Sequence, residues 1–140
     1  MLSTLIGLAA GLLTIFTFRL LKRVNQTTLY GVMLSGIGFI YVGFTWSSWE
    51  ALAVNVLQAI VFALFAYLGI KKNEKFIIAG YFLHGVWDVT YSLFFSSALI
   101  PPHYDLFCLT FDFIVGFYLL EPAFRKVRER ALASILQTQN

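Results

Sequence analysis

The sequence predicts an all-α fold: an integral membrane bundle of five transmembrane helices, N-terminus outside and C-terminus in the cytoplasm. Three observations predict it. The 140-residue chain is 59% hydrophobic and only 12% charged, where soluble domains carry about 25% charged residues. All ten Lys and Arg residues fall in three clusters: Arg19, Lys22 and Arg23; Lys71, Lys72 and Lys75; Arg125, Lys126, Arg128 and Arg130. Long apolar runs alternate with these clusters, and basic residues collect in loops on the cytoplasmic side of a membrane.

The net charge of +3 hides a separation. The basic clusters with Glu74, Glu121 and Glu129 sum to +7 (ten basic minus three acidic), and Glu50, Asp88, Asp105 and Asp112 to −4. Such a split favours contact with anionic headgroups over nucleic acid. A multi-pass protein of the cell inner membrane is expected, with membrane lipids as its surroundings.

Span one is predicted over Leu2 to Phe18, ending at Arg19, whose side chain can snorkel to the interface. Its charges follow the apolar run rather than precede it, so it is read as a retained span and not a signal peptide. Asn25 to Thr28 form a polar connection. Span two covers Leu29 to Trp46 and carries Gly31, Gly36, Gly38 and Gly43. Small residues let helices approach closely in lipid, and these cannot all face one neighbour, which predicts either a homodimer seam, tested at Gly38, or extra packing against spans one and three. Trp46 and Trp49 flank the outer turn, where an aromatic belt lies.

Span three runs from Glu50 to Ile70 and span four from Phe76 to Ser97. Pro101 and Pro102 break the helix in the loop from Ala98 to Tyr104. Span five, Asp105 to Leu120, is the shortest. Residues 1–121 thus form the membrane domain. In the tail, 122–140, Phe124, Val127, Ala131, Leu132, Ile135 and Leu136 recur at helical spacing between basic residues, the pattern of an amphipathic helix on the cytoplasmic interface.

The chemistry lies in polar groups within the spans. His84 and Asp88 are four residues apart and share a face of span four; Tyr81 and Tyr91 extend that stripe by a turn each way. Asp105 and Asp112 share a face of span five, with Asp105 at the outer surface. Asn55 and Gln58 share a face of span three, below Glu50. Charged groups at that depth cost about 2.5–3.5 kcal/mol each on insertion scales, so they must converge on each other or on water. Two neighbouring carboxylates in an apolar site can divide the work of general acid and base. Asp88, Asp112 and His84 are therefore the catalytic candidates. Glu50, Asn55, Gln58, Tyr81, Trp87, Tyr91, Asp105 and Cys108 are candidates for binding a hydrophobic small molecule.

The chemistry that fits is proton movement on a lipid- or isoprenoid-like substrate by an isomerase, cyclase, hydratase or hydrolase. A non-enzymatic lipid binder or carrier would use the same pocket, and a polar latch that only holds the helices together is the plainer alternative. A metal is the weaker reading: His84, Asp88 and Asp112 could offer three ligands, yet the chain has only two histidines, and His103 lies in the outer loop. No cofactor is expected: a haem between spans lacks a second buried His, phosphate-binding glycine loops are missing, and no G-x-S-x-G occurs. Cys108 has no cysteine partner within the chain.

His84-Gly85-Val86-Trp87-Asp88, followed by Pro102, Tyr104, Cys108 and Asp112, resembles the pattern of a family of small bacterial membrane proteins without assigned function. That resemblance implies a multi-span fold and little about chemistry. The His84/Asp88 pair is also similar to the His-x-x-x-Glu helix motif of the emopamil-binding protein and sigma-2 receptor group, with a shorter acid. This second likeness implies cavity chemistry on a sterol-sized ligand.

Overall fold

The computed structural model describes the backbone of residues 1–95 and 100–138, and side chains through residue 122. It contains five helices and, among the described residues, no strand: α1 (Leu2–Leu20), α2 (Gln26–Thr45), α3 (Trp49–Lys71), α4 (Lys75–Phe94) and α5 (Tyr104–Thr138). The four expected spans up to residue 95 begin and end within three residues of these helices. The last residues predicted for span four, 96 and 97, lie outside the described residues.

The helix ends follow from local chemistry. The Gln26 side chain donates to the Phe18 carbonyl at 2.8 Å, and the Thr28 amide donates to Asn25 Oδ1 at 3.1 Å. One bond satisfies an orphan acceptor at the end of α1, and the other an orphan donor at the start of α2. The Lys75 amide donates to Asn73 Oδ1 at 3.0 Å, closing the turn into α4. Sequence alone suggests a boundary at Pro122, yet α5 continues through that proline without a break. The amphipathic pattern expected beyond it rests on side chains outside the described residues.

α2 packs on α3, α3 on α4, and α4 on α5; α1 closes the bundle by docking on α5. The α1–α5 seam is made by Gly7 and Gly11, a small-xxx-small pair that sequence reasoning passed over. A Cβ at Gly7 would collide with the Phe107 carbonyl oxygen, and one at Gly11 would lie 3.1 Å from Ile114 Cγ2. Glycine is required there because the two backbones approach closely. On α2, Gly38 packs against Phe62 and Ala59 of α3, while Gly36 and Gly43 face outward with nothing within 4 Å. Gly38 thus belongs to the α2–α3 contact rather than to a free face.

The bundle is apolar outside and polar within. Leu5, Leu13, Phe16, Val32, Leu57, Ile60, Leu64 and Phe117 are exposed, whereas Thr45, Asn55, Gln58, His84, Asp88 and Asp112 are buried. An exposed apolar surface of this extent suits lipid, not water. α1, α2 and α3 are long and apolar enough to cross a membrane. α4 matches α2 in length but carries Tyr81, His84, Asp88 and Tyr91, polar groups that are buried.

Candidate functional site

The cluster is built where α4 meets α5. His84 and Asp88, one turn apart on α4, present their side chains to Asp112 of α5. His84 Nδ1 lies 2.8 Å from Asp112 Oδ2 and 3.2 Å from Asp88 Oδ2. All three residues are at most 1% exposed. The three catalytic candidates are therefore brought together in one place. A single hydrogen on Nδ1 cannot serve both carboxylates; the shorter, aligned bond goes to Asp112.

Residues from α2 and α3 complete the surroundings. Phe62 of α3 packs its ring 4.7 Å from the imidazole. Tyr41 of α2 stands 6.4 Å from it, with its hydroxyl beside Asp88. Sequence reasoning missed Tyr41. It also missed Thr45, whose hydroxyl accepts from Asn55 Nδ2 at 3.2 Å. The signal was present in the spacing of Tyr30, Leu34, Gly38, Tyr41 and Thr45, all buried on one face of α2.

The other candidates divide. Asn55 is buried and donates to the Tyr91 hydroxyl at 3.0 Å, tying α3 to α4 one turn beyond Asp88. Gln58 is 5% exposed. It lies on the same face of α3 as Asn55 and Phe62, and its Nε2 sits 3.7 Å from where a Cβ at Gly38 of α2 would lie. Cys108 is buried near Tyr104, within electrostatic reach of Asp88 and Asp112. Trp87 is half-buried, with its ring 6.0 Å from that of Tyr91. Tyr81 is buried one turn toward the opposite end and donates to the Tyr30 carbonyl at 2.9 Å. Asp105 is half-buried in the first turn of α5, and Glu50 is exposed in the first turn of α3. Glu50 is not part of the cluster.

Several buried atoms of this layer have no hydrogen-bond partner within the protein: both oxygens of Asp88, Asp112 Oδ1, His84 Nε2, both amide atoms of Gln58 and Trp87 Nε1. Each such group costs about 1–3 kcal/mol when left unpaired. They concentrate at the level of His84, Asp88 and Asp112. The same three residues also have the donor set of a metal centre, with one ligand atom from each and all within 4.8 Å of one another.

A cavity of about 260 Å³ lies elsewhere, at the end of the bundle that carries the basic loops. Gln26, Thr27, Tyr30, Ile77, Tyr118 and Pro122 are among its walls. Tyr30 and Tyr81, joined by their hydrogen bond, stand between it and His84. Around the cluster itself, Tyr41 packs against Tyr91 at 5.2 Å and Tyr104 at 5.9 Å, closing that side with aromatic rings.

Fold and site together define a small, lipophilic helical bundle with a His–carboxylate cluster sealed in its interior. The chain belongs to DUF6010, a family of unknown function whose model matches residues 2–125. No curated protein and no solved structure matches it.

Proposed function

We propose that this protein is a membrane-embedded enzyme performing acid–base chemistry on a hydrophobic, lipid- or isoprenoid-like substrate. The observation that carries this is the convergence of His84, Asp88 and Asp112 at full burial, with Nδ1 2.8 Å from Asp112 Oδ2 and 3.2 Å from Asp88 Oδ2. No Lys or Arg occurs between Lys75 and Arg125 to neutralise them. Asp112 is held by His84 through one oxygen, and its second oxygen and both of Asp88 are left to exchange a proton with a bound substrate. Isomerisation, cyclisation, hydration and hydrolysis all need such an exchange. Gln58 and Tyr41 orient the substrate or water beside Asp88.

The alternative is a non-enzymatic binder or carrier, favoured by the cavity that lies apart from the cluster. Lipid extraction and mass spectrometry of the purified protein separate the two. A co-purifying molecule that is chemically altered on incubation is the expected result. One released unchanged would favour the carrier.

The accompanying topology has all five helices spanning, with the N-terminus outside. α4 and α5 then carry their polar faces inward and their apolar faces to lipid. In a Cys108→Ser background, Pro101→Cys is expected to react with an impermeant thiol reagent added to intact cells, and Asn73→Cys is not. Both positions are exposed, so the reverse pattern of labelling would invert the orientation.

A further inference from the structure

We infer that His84, Asp88 and Asp112 bind a divalent transition-metal ion of the zinc type. This goes beyond the acid–base reading of the same cluster and stands on its geometry, not on an enzymatic activity.

Three observations carry it. The first is ligand placement. Zinc held by imidazole nitrogen and carboxylate oxygen at about 2.1 Å in tetrahedral geometry sets its ligand atoms roughly 3.4 Å apart. Here Nδ1 of His84 lies 2.8 Å and 3.2 Å from the two carboxylate oxygens, and the three donors lie within 4.8 Å of one another.

The second is charge. Two carboxylates are buried together with no Lys or Arg from Phe76 to Phe124, and where both are ionised a divalent ion would cancel their charge. A neutral imidazole then serves as the third ligand. The single proton on Nδ1 reaches only one of the two acids, and Asp88 is the one left out.

The third is the set of orphaned groups around it. Both oxygens of Asp88, Asp112 Oδ1 and His84 Nε2 are buried without a hydrogen-bond partner in the protein. Catalytic zinc sites keep three protein ligands and one open position. The Tyr41 hydroxyl beside Asp88 supplies the kind of supporting contact that orients a ligating carboxylate. With the ion bound, the three side chains are ligands rather than proton carriers, and the ion supplies the Lewis acid of the site.

The test uses the full-length protein purified in detergent without chelator. Elemental analysis is expected to find about one zinc-type ion per chain, and Co²⁺ exchanged into the site should give visible absorption. Asp88→Asn and Asp112→Asn should each lower occupancy by more than the roughly 10–100-fold that loss of a contact behind a ligand causes, with helix content by circular dichroism unchanged. His84→Cys keeps a ligand, and should add a thiolate-to-cobalt charge-transfer band that a merely structural residue would not produce. Wild-type protein that takes up neither Zn²⁺ nor Co²⁺ would overturn the inference, as would occupancy unchanged in both asparagine variants or a His84→Cys protein without the new band. Protein that takes up no metal yet converts its lipid would overturn the metal and leave the acid–base reading intact.

Discussion

Replacing Asp112 by asparagine is expected to lower turnover of the co-purifying lipid by about 10²–10⁴-fold, the range one positioned acid–base group contributes. The bundle should remain folded. Asparagine has the shape of aspartate, and its amide oxygen can still accept from His84 Nδ1, now 2.8 Å from Asp112 Oδ2. What is lost is a group able to take up and release a proton. Asp88→Asn should act similarly, since both oxygens of that residue lack a hydrogen-bond partner in the protein. Combining the two should add little, because residues that work as a unit are strongly non-additive. A polar latch predicts the opposite: a lowered unfolding temperature with turnover per folded molecule unchanged. Full activity in both single variants would remove the cluster from the chemistry. Metal content measured on the same samples then tells proton carriers from ligands.

The helices were legible because lipid-facing chains announce their boundaries. Lys22, Lys71 and Lys75 with their polar neighbours interrupt the apolar runs, and helices start or stop within a few residues of them. The meeting of His84 with Asp88 was legible too, since four-residue spacing fixes a shared face. Its meeting with Asp112 followed from depth alone, because buried charges in adjacent spans have nowhere else to go. Tyr41 and Thr45 were not legible in the same way. In a chain that is 18% aromatic, one more tyrosine carries no signal until its neighbours in space are known. Glu50 misled in the other direction. Its charge suggested a site, but it is exposed in the first turn of α3, where an acid simply complements the helix dipole. Pro122 did not end the helix: α5 runs through it. Gly38 looked like a free seam because sequence gives the periodicity of a face without saying which neighbour covers it.

Gly7→Ala is expected to cause the largest loss of stability of any single-methyl change on α1, about 1–3 kcal/mol, the usual cost of overpacking. The added Cβ would meet the Phe107 carbonyl oxygen, a backbone atom that no rotamer change can move aside. To relieve that contact α1 must lift from α5, loosening the neighbouring fit of Gly11 against Ile114. The methyl also brings a helix-propensity gain of roughly 0.5–1 kcal/mol over glycine, so the net loss measures a clash larger than that. Gly36→Ala is the matched control: its Cβ would have nothing within 4 Å, and it should be neutral or slightly stabilising. Thermal or denaturant unfolding in detergent, followed by helical signal, reads both. The consequence reaches the site, because α1 braces the stretch of α5 from Phe107 to Ile114, which contains Asp112. If Gly7→Ala is as stable as Gly36→Ala, the α1–α5 seam is looser than these distances require. α5 would then hold Asp112 against His84 through its packing on α4 alone.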